Sequence, residues 1–360
     1  MQAGSPLPPL LVLGAGAWGT ALAVHFAALS QRMGGGPIGL WARRPDHALD
    51  LHQRRENQRY LPGIPFPSPL VVEQDFTQAL ERWRDAGLRS AHGPGVLVFA
   101  GPLSSLEEMA DRVAQILGPA AAPGEGLIWL AKGVLIHPLS QRVCFASDLL
   151  TRLASWPQAA LSGPSFAQEV AKGLPSALAL ASTDLLWAQS CAQRLHGGSM
   201  RLYPTNDLVG VQLGGAMKNV LAIAAGISDG LSLGGNARAA LLTRGLAEAA
   251  RLGQAMGARP ETFLGLGALG DLVLTATGDL SRNRRVGLAL AQGQVLDAVL
   301  KDLGHVAEGV GAAPALAQLA HDYGVDCPIV QAVNDLLAGR AEVQAVCERL
   351  MARAMTYERP

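Results

Sequence analysis

The segment LLVLGAGAWG at residues 10–19 joins a short apolar run to three glycines in the pattern GxGxxG. The apolar run predicts a strand at residues 10–13, and the alanine-rich stretch that follows predicts a helix at residues 20–29. Between a strand and a helix, such glycines allow a tight turn and a close approach of the backbone to a pyrophosphate. The segment therefore predicts a dinucleotide-binding turn, with a purely structural glycine turn as the alternative. Its cofactor-binding residues would be Gly14, Gly16 and Gly19.

The same region is uncharged, since residues 10–30 contain no Asp, Glu, Lys or Arg and are long enough to be mistaken for a membrane span. The glycines divide this region into a strand and a helix, and no basic residue precedes it as in a secretory signal. We therefore expect no membrane span and a cytoplasmic location.

The composition indicates a soluble protein with a sizeable core. The 360 residues are 49% hydrophobic and 16% charged, which is enough for two domains. Lys plus Arg and Asp plus Glu both number 29, so no overall charge favours nucleic acid, an anionic membrane or a polyacidic partner. The four cysteines form no CxxC pair, which indicates unpaired thiols in a reducing compartment. We find no metal-ligand spacing, GxSxG elbow or P-loop, so neither a metal site nor hydrolytic or kinase chemistry is predicted.

Short β-rich runs alternate with helical stretches through the first half of the chain, which predicts a doubly wound, mainly parallel α/β sheet. The predicted strands are residues 10–13, 38–41, 70–72, 96–99, 127–130 and 159–161. Two segments rich in glycine or proline, residues 33–37 and 85–95, predict surface loops.

After Tyr203 the pattern changes to long Ala, Leu and Gly-rich stretches with helical spacing, and Thr205 or Asn206 is expected to cap the first helix. We therefore divide the chain into a Rossmann-like domain at residues 1–203, which contains the predicted dinucleotide-binding turn, and an all-helical domain at residues 204–360.

Arg43 and Arg44 follow the second predicted strand, where an NAD-selective fold commonly has an acidic residue for the ribose hydroxyls. Two guanidinium groups favour the 2′-phosphate of NADP(H). The alternative is that both are solvated surface charges at the start of the next helix.

Lys132, Lys218 and Asp271 are each the only Asp, Glu, Lys or Arg in a long apolar window, at residues 126–141, 208–228 and 262–278. Because an unpaired buried charge is costly, such residues usually pair or face a polar cleft. A structural ion pair explains two of them. Because the three residues are two lysines and one aspartate, one lysine has no partner among them and would need an anionic or polarised ligand.

Two further segments offer polar donors. Residues 281–285, SRNRR, predict a phosphate site or, equally well, a basic helix surface. Residues 162–167, SGPSFA, predict a strand-to-helix turn that holds a polar group, or simply a capped helix start.

Taken together, these segments resemble the bacterial NAD(P)-dependent glycerol-3-phosphate dehydrogenase family over nearly the whole chain. The matching blocks are GAGAWGTALA at 14–23, AKG at 131–133, SGPSFAQEVAKGLPSA at 162–177, GVQLGGAMKNVLAIAAGISDG at 210–230, NARAALLTRGLAE at 236–248, GLGALGDLVLT at 265–275 and SRNRR at 281–285.

The resemblance implies that Lys218 donates and accepts the proton, with Lys132 and Asp271 as the other catalytic residues, and that Lys132 also contacts cofactor and substrate. Its other implied substrate contacts are Gly163, Ser165, Lys218, Asp271, Ser281, Arg282 and Asn283. Its other implied cofactor contacts are Ala17, Trp18, Arg43, Arg44, Tyr60, Ala167, Arg282, Val306 and Glu308. The chain departs from the family at Ala17, where relatives often carry a hydroxyl residue, and at residues 309–312, which replace a more polar run.

The activity that the resemblance implies is reversible reduction of dihydroxyacetone phosphate to sn-glycerol 3-phosphate with NADP(H) or NAD(H), feeding glycerophospholipid synthesis. It also implies that the domain at residues 1–203 binds NAD(P) and that the domain at residues 204–360 binds the substrate and is catalytic. A β-hydroxyacid or 6-phosphogluconate type dehydrogenase is the nearest alternative enzyme, and a non-catalytic dinucleotide sensor is the alternative of another class. The sequence does not decide whether NADP(H) or NAD(H) is preferred, and it does not show whether the enzyme is feedback-regulated. It does not fix the oligomeric state either, although it is compatible with a homodimer.

Overall fold

The computed structural model describes residues 7–303 and 307–351. The chain divides into two compact units, the first comprising residues up to Lys132 together with Cys144–Gln212, and the second Gly133–Val143 together with the chain from Leu213 onward. Strand-rich sequence therefore gives way to helical sequence close to the predicted change after Tyr203. The assignment of one role to each domain remains a prediction.

The first unit is built on an eight-stranded sheet with strand order β12-β11-β10-β7-β6-β1-β2-β5. All neighbouring strands are parallel except β10 and β11. The strands are β1 (Leu10–Leu13), β2 (Ile38–Trp41), β5 (Leu70–Glu73), β6 (Val96–Phe99), β7 (Gly126–Trp129), β10 (Gln158–Ser162), β11 (Ser176–Ala181) and β12 (Met200–Thr205). Two short pairs lie outside this sheet: β3 (Glu56–Asn57) with β4 (Leu61–Pro65), and β8 (Leu135–Ile136) with β9 (Val143–Cys144).

The α/β fold class and all six predicted strands are confirmed; in the eight-stranded sheet β11 and β12 were missed, as were the four short strands outside it. The sequence of β11 is SALALA, and alanine and serine have little preference for strands. Its strand conformation therefore comes from pairing with β10 and β12, which the local sequence does not reveal.

Helices follow the strands of the first unit: α1 (Ala17–Met33), α2 (Pro45–Arg54), α3 (Phe76–Arg89), α4 (Leu106–Leu117), α5 (Ala146–Leu149), α6 (Ala167–Ala171) and α7 (Leu185–Leu195). The segment at residues 10–30 thus contains, as predicted, a buried strand of the sheet and most of a helix, α1. The predicted loop at 85–95 is wrong in its first half, because α3 continues to Arg89. The amphipathic pattern of α3, with Ala79, Leu80 and Trp83 buried, outweighs the loop-like composition after Asp85.

The described part of the second unit is helical apart from the short segment at 133–143. Its helices are α8 (Leu208–Gly230), α9 (Gly234–Ala255), α10 (Asp271–Thr277), α11 (Arg282–Ala291), α12 (Leu296–Leu303), α13 (Glu308–Asp322), α14 (Pro328–Leu337) and α15 (Val343–Met351). The predicted caps of α8 are wrong: the side chain of Asp207, not Thr205 or Asn206, accepts a hydrogen bond from the Gly210 amide at 2.9 Å. An aspartate at this position satisfies an amide of the first turn and also interacts with the helix dipole.

Helix α8 is a long, apolar and largely buried helix, most of which belongs to the second unit. Among the described residues it is the one helix long and apolar enough to cross a membrane, and 94% of its most apolar window is buried inside the protein. Neighbouring backbones come very close to it, since a Cβ at Gly226 would overlap the Arg284 carbonyl oxygen and a Cβ at Gly287 would overlap that of Ile223. The apolar character of α8 is therefore that of a core helix. Glycines on both helices, Gly226 in α8 and Gly287 in α11, allow the two backbones to pack closely.

Candidate functional site

The turn between β1 and α1 gives each of its three glycines a separate role. A Cβ at Gly14, where φ is +126°, would lie 2.9 Å from the carbonyl carbon of Ala100, which follows β6. A Cβ at Gly19 would overlap the Gly14 carbonyl oxygen and lie 2.7 Å from the Ala100 Cβ, so Gly19 lets α1 pack closely on the strands. Gly16 has no heavy atom within 4 Å of an added Cβ, so open space lies beside it.

This turn fits the pyrophosphate of a dinucleotide. The first amides of α1, including those of Ala17 and Trp18, have no acceptor within their own helix and lie at the positive end of its dipole. An anion placed in the open space beside Gly16 would meet those amides. The turn also lies where the strand order reverses between β1 and β6, the usual position of a nucleotide in such sheets.

The segment after β2 supplies the two predicted arginines. Arg43 is exposed, and Arg44 precedes α2, with its Nε 3.8 Å from Oδ1 of the exposed Asp46. An exposed pair at that distance is weak and leaves Arg44 available to a ligand. Tyr60 lies in the turn between β3 and β4, and its ring meets that of His47 edge to face at 5.4 Å between centroids.

Lys132, Gly163 and Ser165 come together at the carboxyl ends of β7 and β10. Lys132 Nζ donates to the Gly163 carbonyl oxygen at 3.0 Å, and Ser165 Oγ donates to the same oxygen at 2.8 Å. Both side chains are partly exposed, so one carbonyl orients an ammonium and a hydroxyl at the sheet edge. Ala167, the fourth residue predicted here, begins α6 and packs against the core.

Lys218 and Asp271 form a buried ion pair in the second unit. Lys218 Nζ, on α8, donates to Asp271 Oδ1 at 2.7 Å and to Thr275 Oγ1 at 3.0 Å. Their side chains are 10% and 2% exposed. Asp271 follows a π-helical turn, Leu266–Gly270, a local widening that is frequent at functional sites. Thr275 was missed by the sequence analysis, although it lies one turn after Asp271 on the same helix face.

Asn283 belongs to a second buried cluster. Its Nδ2 donates to Asn219 Oδ1 at 2.8 Å, and its Oδ1 accepts from the Gly309 amide at 3.0 Å. Asn219 Nδ2 donates in turn to Glu308 Oε2 at 3.2 Å. Two residues predicted to bind substrate and cofactor, Asn283 and Glu308, are therefore joined through Asn219, the neighbour of Lys218 on α8. Sequence reasoning missed Asn219 because an uncharged amide does not stand out in an apolar window.

The predicted donor cluster at 281–285 divides into structural and available groups. Ser281 caps α11, since its hydroxyl accepts from the Arg284 amide at 3.2 Å. Arg284 is held by Asp229 and Asp279 at 2.9 and 3.0 Å, so it stabilises the segment. Arg282 and Arg285 are exposed. Arg282 is thus the guanidinium whose exposure suits the predicted phosphate contact.

One predicted cofactor contact and the question of a metal site remain. Val306, predicted to contact the cofactor, lies outside the described residues. Within residues 7–303 and 307–351, no group of three or more His, Cys, Asp or Glu side chains could hold a metal ion.

Comparison with known proteins gives full-length matches. Models for the N-terminus and the C-terminus of NAD-dependent glycerol-3-phosphate dehydrogenase match residues 9–188 and 207–348. A glycerol-3-phosphate dehydrogenase [NAD(P)+] from Polynucleobacter asymbioticus is 47% identical over 95% of this chain and 97% of its own length. The enzyme of the same name from Methylibium petroleiphilum is 48% identical, over 97% and 98%. A crystal structure of glycerol-3-phosphate dehydrogenase from Coxiella burnetii is similar with a TM-score of 0.84 and 36% identity, over 97% of this chain and 99% of that one.

Proposed function

The chain belongs to the NAD-dependent glycerol-3-phosphate dehydrogenase family, and we propose that it interconverts dihydroxyacetone phosphate and sn-glycerol 3-phosphate with Lys218 as its proton donor and acceptor. It is an NAD(P)-dependent oxidoreductase with a Rossmann-like domain and a helical domain. The buried contact of Lys218 with Asp271 and Thr275 is the observation on which the proposed mechanism depends.

Reduction of a ketone places negative charge on the carbonyl oxygen, which must be stabilised and then protonated. An ammonium can do both, since it attracts the developing oxyanion and releases a proton to it. Asp271 and Thr275 accept two of the three Nζ hydrogens of Lys218. These two contacts orient the Lys218 ammonium, to which we assign stabilisation and protonation of the C2 oxygen of the substrate.

Asp271 stabilises the buried ammonium of Lys218 as well as orienting it. Removing an ammonium from water is unfavourable, and the carboxylate at 2.7 Å offsets that cost. Thr275 Oγ1 also donates to the Asp271 backbone carbonyl oxygen, as expected for a threonine bonded to the preceding turn. Thr275 therefore accepts from Lys218 while its own hydrogen is directed elsewhere.

The first unit would hold the cofactor. We assign the pyrophosphate to the amides at Gly16, Ala17 and Trp18, and the 2′-phosphate of NADP(H) to Arg43 and Arg44. When bound, NAD(P)H supplies the hydride that reduces C2.

The phosphate of the substrate is assigned to Arg282, whose planar guanidinium can form two parallel hydrogen bonds with it. Asn283 is committed to Asn219 and Gly309, so its proposed part is to hold the first turn of α11 in place for Arg282. We assign polar groups of the substrate to two residues of the first unit, Lys132 and Ser165. Both side chains donate a hydrogen bond to the Gly163 carbonyl oxygen. Binding energy from the phosphate then positions the reacting carbon.

We also propose that the protein acts in the cytoplasm as a homodimer and that its product feeds glycerophospholipid synthesis. Isolated, buried cysteines such as Cys191 and Cys327 are more typical of proteins from reducing compartments, which supports the cytoplasmic location. Light scattering of the purified protein tests the dimer, and a monomeric mass would remove that part of the proposal.

The activity is tested by NAD(P)H oxidation with dihydroxyacetone phosphate and by the reverse reaction with sn-glycerol 3-phosphate. Substrate-dependent turnover in both directions is expected, with 6-phosphogluconate and a 3-hydroxyacid as comparison substrates. Faster turnover of either comparison substrate would favour the other dehydrogenase class. Cofactor binding without turnover of any of them would favour a dinucleotide sensor.

A further inference from the structure

The carbonyl oxygen of Ala15, inside the glycine turn, is held by side chains from a different part of the chain. Asn57 Nδ2 donates to it at 3.0 Å, and His47 Nε2 lies 3.3 Å from it. A carbonyl can only accept, so the imidazole contributes to this contact as the tautomer with hydrogen on Nε2. Asn57 lies in β3 and His47 lies in α2, so two elements beyond β2 hold one peptide of the turn.

Asn57 is fully committed to this contact. It is 0% exposed, and the second N–H of its amide donates to Thr20 Oγ1 at 2.7 Å. Its Oδ1 accepts from the Tyr60 backbone amide at 3.2 Å. The side chain therefore links the glycine turn, the first part of α1 and the turn that carries Tyr60. Only a carboxamide has two donors and an acceptor in this arrangement, so aspartate, its isostere, cannot replace it.

The direction of one carbonyl determines the direction of the next amide. In a planar trans peptide the C=O and the following N–H point to opposite sides. Because the Ala15 oxygen points to buried Asn57, the Gly16 N–H points away from it. The space beside Gly16 is open, which is where the proposed function places the pyrophosphate.

We propose that Asn57 is a positioning residue of the dinucleotide site, which fixes the Ala15–Gly16 peptide so that the Gly16 amide faces the pyrophosphate. The proposal rests on the proposed function only in assuming that a dinucleotide binds at this turn. Because the pyrophosphate is common to NADH and NADPH, loss of Asn57 weakens both cofactors by the same factor. Arg43 and Arg44, in contrast, affect NADPH alone.

The test measures dissociation constants of NADH and NADPH for Asn57→Asp and Asn57→Ala, well below the melting temperature of each variant. Both variants are expected to lose about tenfold or more in affinity, equally for the two cofactors, since a buried acceptor loses its donor. Agreement between the two variants separates lost positioning from the added charge of aspartate. Asn206→Asp, which places the same charge at an exposed position of the same unit, is the matched control and should bind as the wild type does.

Hydrogen exchange provides a second measurement on the same proteins. The peptide covering residues 14–20 should exchange faster in the Asn57 variants and unchanged in Asn206→Asp. If the Asn57 variants fail to fold, Thr20→Val removes one partner of Asn57 at little change in volume. That variant should also lose affinity for NADH and NADPH by equal factors, but by a smaller factor than the Asn57 variants.

Unchanged affinity in folded variants, even with a lower melting temperature, would make Asn57 a purely structural residue and overturn the proposal. A loss confined to NADPH would also overturn it. Failure of the proposed function is a separate result, because a wild-type protein that binds NADH but does not reduce dihydroxyacetone phosphate still allows this comparison.

Discussion

Replacing Lys218 by methionine should produce two losses of different origin. Turnover should fall at least about a hundredfold, because the group that stabilises the oxyanion and gives it a proton is gone. That factor corresponds to about 2.7 kcal/mol of transition-state stabilisation. The free energy of unfolding should fall by about 3 to 5 kcal/mol, because Asp271, 2% exposed, loses the cation that lies 2.7 Å from it.

A second substitution separates the two losses. In the Lys218→Met/Asp271→Asn double variant both buried charges are removed, so most of the lost stability should return while turnover stays low. The coupling between the two sites in stability should exceed about 1 kcal/mol. Lys301→Met, at an exposed position of α12, is the matched control and should change neither quantity.

The three measurements are denaturant unfolding, NADPH affinity and turnover with dihydroxyacetone phosphate, made on one preparation of each variant. A folded Lys218→Met protein that binds NADPH and keeps near-normal turnover would refute the role of Lys218 as proton donor. A double variant as unstable as the single one would refute the ion pair as the source of the lost stability.

Four other expectations follow from single features of the structure. Replacing both Arg43 and Arg44 by alanine should raise the Michaelis constant for NADPH about tenfold or more and leave that for NADH unchanged, because they are the proposed partners of the 2′-phosphate; equal losses in steady-state assays would contradict this. Arg282→Lys should raise the Michaelis constant for dihydroxyacetone phosphate about tenfold, since an ammonium cannot form the bidentate contact, and an unchanged value would place the phosphate elsewhere. Gly16→Ala should keep its melting temperature, since the new methyl group meets nothing within 4 Å, but should weaken NADH and NADPH binding in fluorescence titrations; unchanged affinity would count against a pyrophosphate there. Burial raises the pKa of Glu248 from 4.5 to about 7, so the folded state favours the protonated carboxyl, and the contribution of Glu248 to stability should be complete below pH 4.5 and be lost as pH rises to about 7. Glu248→Gln should remove that part of the pH dependence, at most about 3 kcal/mol in unfolding titrations, and parallel stability curves for wild type and variant would contradict the assignment.

The sequence predicted the parts of the site whose chemistry is unusual for their surroundings. Lys218 and Asp271 stood out because a charge in an apolar window needs a partner, and each is the partner of the other. The glycine turn was predicted because its pattern lies between a strand and a helix, as the structure confirms.

The missed residues are uncharged and act over long separations in sequence. Asn57 contacts residues 42 and 37 positions away, and Thr275 lies 57 positions from Lys218. Polar side chains of this kind are common at surfaces and caps, so nothing local distinguishes one that is fully buried. Arg284 shows the reverse case. The composition of its segment, residues 281–285, suggested a phosphate site, but the ion pairs of Arg284 with Asp229 and Asp279 give this residue a structural role.

During synthesis, helix α8 emerges from the ribosome before the segments that bury it. Close contacts to α8 come from Gly287 in α11 and Gly309 in α13, both of which follow it in the chain. At ~5–20 residues per second, the ribosome needs on the order of ten seconds after completing α8 to add these segments. For that time α8 is an apolar helix of membrane-spanning length that α11 and α13 do not yet cover, and we expect chaperones and membrane-insertion factors to bind it. Ribosome-bound chains that end after α9 should therefore crosslink to such factors, and chains that have released α13 should not.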